Sequence, residues 1–203
     1  MASQLRWRLA HGRGLHGQQA CRSKAALVVA QRLHDTKYTP GFMGFEPSAS
    51  RVWKKLPREE RLLAAAAFLR DPIPALHATA LAAIVRARRL RPQVARAMAP
   101  DEQAGALSGI LDPGEPLAGS LLVALHLGER RPLLAAFLDA LGVPHEDGVM
   151  KEEAEGLPLD AAKVEQAARE LKTHFPAEQV ALYFNVLLLQ DPERWAALEA
   201  MAD

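Results

Sequence analysis

Residues 132–153 read PLLAAFLDALGVPHEDGVMKEE. A short apolar helix opens at Pro132, where the first helical turn tolerates a missing N–H. Gly142 predicts a left-handed stop, with Val143 as the apolar contact that often accompanies one. Pro144 keeps the helix from resuming. His145, Glu146, Asp147 and Gly148 then make a compact polar turn, in which Asp147 is expected to bond its own backbone ahead. Val149 and Met150 return to the core. Helix, stop, turn and return set the pattern for the chain around them.

Upstream and downstream, prolines again stand at helix openings. Pro57 opens REERLLAAAAFLR, with Glu59 and Glu60 in the first turn and Arg70 in the last, as the helix dipole favours. Its apolar stripe is read as Leu62, Leu63, Ala66 and Leu69, with Phe68 beside it. Pro72 and Pro74 open the next helix, with Asp71 as N-cap and Leu76, Ala80, Leu81, Ile84 and Val85 facing inward. Pro92, Pro100, Pro116, Pro158, Pro176 and Pro192 open six more. The helix after Pro176 is apolar nearly all round, which predicts a buried central helix of a C-terminal bundle, with Trp195 and Leu198 closing one end.

No segment shows a period-two pattern bounded by hairpin turns. Aromatics are only 5% of the chain while Ala and Leu dominate, which favours helix over sheet. The fold class is therefore all-α: an irregular bundle of about nine short helices. A short HEAT-like α-solenoid is the alternative, because helix pairs of this length are its unit.

One cysteine, Cys21, excludes an internal disulfide framework and a cysteine-built zinc site. The longest strongly apolar run, residues 180–189, is broken by Asn185 and too short for a bilayer, so no membrane association is expected. Net charge is +1 but segregated. Residues 1–50 carry seven Lys/Arg against two Asp/Glu, residues 51–100 eleven against three, and residues 101–203 seven against nineteen. Such asymmetry points either to an anionic partner or to attraction between the halves, within one molecule or between copies.

Residues 1–50 are read as a basic, disordered tail and residues 51–203 as the helical domain. The tail has no acid before Asp35 and is broken by glycine and proline, with only residues 25–33 suited to a helical turn or two. Its composition resembles a mitochondrial targeting peptide; an over-extended start ahead of Met43 is a further reading. Trp7 and Cys21 receive no role.

Three groups could carry function. Arg86, Arg88, Arg89, Arg91 and Arg96 crowd the end of one helix and the next short one, and fixed guanidinium forks suit phosphate. Arginines at a helix C-terminus also answer the dipole, and no aromatic lies nearby to stack on bases, so a solvated face comes first and nucleic acid second. His77, His126, His145 and His174 lack the i, i+3 or i+4 spacing of a helix-borne metal site, and no metal or cofactor is expected. His77 and His126, in apolar helical text, are read as bonded to neighbouring carbonyls, and His174 as answering a helix dipole. His145 beside Glu146 and Asp147 has acid–base chemistry but no identifiable nucleophile. Its expected role is to pin the turn.

The positions Phe137, Leu138, Asp139, Leu141, Gly142, Val143, His145 and Gly148 resemble a Phe-Leu-Asp-x-Leu-Gly-Ile/Val-x-His-x-x-Gly segment of uncharacterised helical bacterial proteins. The Phe-Pro-Ala-Glu helix start at Phe175 and the wider helical region are similar to that group. The resemblance implies an architecture and a bacterial cytoplasmic setting, and no reaction. The expectation is a non-enzymatic helical scaffold or protein-interaction module, self-association included. A nucleic-acid binder using the five arginines stands second, and an enzyme using His145 with Asp147 third.

Overall fold

The computed structural model describes residues 48–70, 74–154 and 157–202. Among these the chain is an all-α, irregular multi-helix bundle of nine α-helices with one minimal hairpin. The helices are α1 (Ala49–Lys55), α2 (Arg58–Arg70), α3 (Pro74–Arg88), α4 (Pro92–Ala97), α5 (Pro100–Ser108), α6 (Glu115–Glu129), α7 (Arg131–Leu141), α8 (Ala161–His174) and α9 (Ala177–Gln190). Strands β1 (His145–Glu146) and β2 (Val149–Met150) follow α7, and 3-10 turns lie at Glu152–Ala154 and Ala196–Met201. No helix among the described residues is long and apolar enough to cross a membrane.

The first helix starts inside the stretch read as tail, because its exposed N–H groups find acceptors. The Ser48 hydroxyl accepts from Arg51 N–H, and the Glu115 carboxylate, from the start of α6, accepts from the N–H of Ala49 at 2.8 Å and of Ser50 at 3.3 Å. Four orphan donors at a helix start require such partners. Trp53 on α1 is fully buried, its indole N–H donating to Ile110 O at 2.8 Å. Trp7, Cys21, residues 25–33 and the Asp71 cap lie outside the described residues.

Two cores form. The first gathers α1 to α6 around α2 and is built on small side chains: nine of its twenty buried residues are alanine. Helices with alanine faces approach closely, and a Cβ on Gly128 of α6 would stand 2.8 Å from Ala67 Cβ on α2. The stripe expected on α2 is corrected here. Its buried face is Arg61, Ala64, Ala65 and Phe68, while Leu62 and Leu63 are 43% and 45% exposed. Arg61 goes in because its guanidinium caps two helix ends, donating to Ser108 O at 2.8 Å and Leu56 O at 2.6 Å.

The second core gathers α7, α8, the C-terminal 3-10 turn and the hairpin, on larger side chains. Phe137 lies against Tyr183, Phe184 and Trp195, with ring centroids 5.7, 5.7 and 5.9 Å away. The helix after Pro176, α9, belongs to both cores: Leu182 and Val186 enter the first, and Val180, Tyr183, Phe184, Leu187 and Leu188 the second. Its packing on α1 and α6, far away in sequence, is incompatible with a solenoid, where each repeat touches only its neighbours. The segment after Pro192 is a turn and a 3-10 piece rather than an α-helix. Its last carbonyls are taken by other helices, Met201 O by Lys172 and Ala202 O by Asn185.

Candidate functional site

The polar turn is organised by the stop of α7. Gly142 stands at φ 67. Its N–H donates to Asp139 O and the Val143 N–H to Leu138 O, both at 2.9 Å, which together make a Schellman stop. Pro144 turns the chain back, and the four polar residues are a β-hairpin rather than a bare turn: Glu146 pairs with Val149 and His145 with Met150. Asp147 and Gly148 both have positive φ, 51 and 78, as a type I′ turn requires. Each strand is two residues long, too short for a period-two pattern to be read in the sequence. The Asp-Gly dipeptide was the available signal.

The hairpin lies back along α7 and is fixed at both ends. At the tip, Arg131 donates to Asp147 O at 3.1 Å and to the Asp147 carboxylate at 2.7 Å. Asp147 is thus turned to an arginine instead of its own backbone. A Cβ on Gly148 would meet Leu134 Cβ at 2.8 Å and Arg131 O at 3.0 Å, so the tip touches the helix. Nearer the base, His145 Nε2 is 3.0 Å from Asp139 Oδ1, and His145 Nδ1 accepts the Gly148 N–H at 3.2 Å. The backbone donor fixes Nδ1 as the acceptor, so neutral His145 carries its proton on Nε2 and donates to Asp139.

That geometry bears directly on catalysis. Both ring nitrogens of His145 are engaged, Asp147 is held by Arg131, and Glu146 on β1 is exposed. These residues do not converge on a position where a reacting atom could sit, which acid–base work needs. Asp139 and Arg131, the two partners that hold the hairpin, sit on α7; in the sequence Asp139 stood out only as part of the resemblance and Arg131 not at all.

Of the remaining histidines, His126 is fully buried. Its Nδ1 donates to Leu122 O at 2.9 Å, and its ring faces Tyr183 at 5.5 Å. Burial, with the Arg130 charge adding to it, pushes its pKa down to about 4, so it is neutral at pH 7. Burial alone pushes the Tyr183 phenol up, so it also stays neutral. Arg130 is bonded to Glu60 on α2, while one of its nitrogens and His126 Nε2 are buried without partners. His77 is half-buried and His174 exposed. Among the described residues no group of three or more His, Cys, Asp or Glu could hold a metal ion.

The arginine group has the opposite character. Arg86, Arg88, Arg89, Arg91 and Arg96 are all exposed, and none makes an ion pair or side-chain hydrogen bond with a described residue. Residues 74–100 contain no Asp or Glu. A front-half arginine meets a back-half acid elsewhere, at Arg70 and Glu129, while the Glu60–Arg130 pair has the opposite sense, its acid in the front half and its arginine in the back. Arg89 stands at φ 52, the left-handed stop of α3, and Leu90 N–H donates to Val85 O at 3.1 Å. Nothing in the sequence marked Arg89 as left-handed, since glycine is the usual signal for that position. Comparison with protein-family models, curated proteins and solved structures finds no match to this chain.

Proposed function

We propose that this chain is a non-enzymatic helical binding module whose basic end engages nucleic acid. The observation that supports it is the group of five exposed arginines, without partners among the described residues, in a stretch free of acids. Had the acidic half neutralised them, they would be structural. The α-helical frame holds them in a fixed relation, and guanidinium forks match phosphate oxygens. A bacterial cytoplasmic setting and kinship with the helical proteins that share the FLDALG segment belong to the same proposal.

The experiment is a fluorescence-anisotropy titration of the full chain against labelled nucleic acid at low ionic strength. Binding with a dissociation constant of roughly 1–100 μM at physiological salt, tightening as the salt is lowered, is expected. Replacing Arg86, Arg88 and Arg91 together by Gln should weaken it at least about tenfold, because three phosphate contacts go while the exposed side chains leave the fold alone. No binding to any DNA or RNA, or capture of an acidic protein surface instead, would overturn the proposal.

A second reading, a protein-interaction scaffold that self-associates, has one observation in its favour. Leu62 and Leu63 stand side by side and exposed on α2, whose other face is buried. Sedimentation over a range of concentrations tests it: a constant monomer mass, unaltered by Leu62→Glu, removes it.

A further inference from the structure

Two observations narrow the partner, given that the basic end binds nucleic acid at all. First, no aromatic platform accompanies the arginines among the described residues. Among the described residues Trp53, Phe68, Phe137, Tyr183, Phe184 and Trp195 are buried in the two cores, and Phe175 is half-buried against the second. Non-specific single-strand binders depend on exposed aromatic side chains on which successive bases stack. Duplexes need none, since both strands present phosphates on the outside.

Second, one of the arginines is held in a conformation that its own residue type disfavours. At φ 52 the β-carbon of Arg89 crowds the backbone, and glycine would relieve it. Strained positions that survive cluster where the side chain is used. Arg89 lies between Arg88 at the end of α3 and Arg91 ahead of α4, so the left-handed residue sits at the corner where the charges gather.

We infer that the basic end binds the phosphate backbone of duplex nucleic acid without reading bases, and that Arg89 contributes a phosphate contact for which the strained stop of α3 is retained. The inference rests on the nucleic-acid reading above. With three to five phosphates neutralised, log K should fall with log salt at a slope between about −3 and −4.5. Sequence should matter little, because contacts to phosphates carry no base information.

The test uses the full chain, one mixed-sequence duplex of 20 base pairs, a second of unrelated sequence and the matching single strand, titrated at several salt concentrations. Expected are equal affinities for the two duplexes, weaker binding of the single strand, and a slope in that range. Arg89→Gly should melt about 3 °C higher than the parent, since strain is relieved. It should also bind the duplex several-fold more weakly, with the slope smaller in magnitude by about 0.9. Arg169→Gln, on α8 and paired with Glu165, should leave binding unchanged. A parent that binds neither duplex nor single strand overturns the nucleic-acid reading itself. Tighter binding of the single strand overturns the duplex inference alone, as does an Arg89→Gly protein with the parent's affinity and slope.

Discussion

Helices α3 and α7 end by the same backbone geometry with opposite residues in it. Each closes with an N–H to a carbonyl five residues back, Leu90 to Val85 and Val143 to Leu138, around a residue in the left-handed region. At α7 that residue is Gly142, which adopts it freely. At α3 it is Arg89, which does not. The surroundings differ in the same direction. Around α7 the polar side chains hold one another, through His145 with Asp139 and Asp147 with Arg131. Around the stop of α3 five exposed charges have no partner among the described residues. Local rules are obeyed where the chain is only folding and broken where a partner is proposed, the pattern expected of a site kept for use.

The cores repeat the contrast, and the largest effects should expose it. The second core relies on interlocked rings, so Phe137→Ala should cost about 3–5 kcal/mol by lost burial and an open cavity. In the first core, truncation has little to remove at its many alanines, and enlargement does the harm. Ala64→Leu, fully buried on α2, should cost about 1–3 kcal/mol. Urea unfolding of both variants measures this. Equal tolerance of Ala64→Leu and of a surface substitution would show that the close packing of α2 on its neighbours is not what holds the first core.

Between the cores sits His126, and acid should act on it next most strongly. Its folded pKa, about 4, lies below the ordinary value of 6.5 because burial disfavours the charged ring. Above pH 6.5 neither folded nor unfolded chain protonates it, and it has no effect on stability. As pH falls from 6.5 towards 4, the unfolded chain gains a proton that the folded one resists. Stability then drops by on the order of 3 kcal/mol, the full loss being reached below pH 4. Carboxylates titrate in the lower part of that window, so the measurement is a difference. Urea midpoints of the parent should fall more steeply from pH 7 to 4.5 than those of His126→Phe. Parallel profiles would mean that the ring is not held neutral.

The sequence made the helical class and most helix starts legible because proline and the dipole-matched charges are local signals. The α7 stop was legible for the same reason, glycine followed by an apolar residue and a proline. What stayed hidden depends on tertiary neighbours. Leu62 and Leu63 look like a core stripe until Arg61 is seen capping α1 and α5, which turns α2 so that its alanines go inward. The hairpin was missed because two-residue strands leave no periodicity. The pairing of His145 with Asp139, six residues back, depends on the chain reversing at Gly142. The left-handed Arg89 carries no residue-type signal at all.

The smallest effects separate two glycines within the polar hairpin. Gly142→Ala should cost about 1 kcal/mol or somewhat more, mostly backbone strain, because the new Cβ would meet only the Lys163 ammonium, at 3.3 Å, which is bonded to Leu141 O and need shift by only a few tenths of an ångström. Gly148→Ala carries the same strain and a collision besides, with Leu134 Cβ at 2.8 Å and the carbonyl of Arg131 at 3.0 Å. Neither atom is a flexible tip, so α7 or the hairpin has to move. The consequence should appear away from the mutation: the Arg131 and Asp147 contacts at the tip should loosen, seen as faster amide exchange at Gly148 and Val149, while Gly142→Ala leaves them protected. If the two variants are equally destabilised and exchange alike, the tip is not packed on α7, and the contrast between an ordered, self-satisfied hairpin and an open basic corner loses one of its sides.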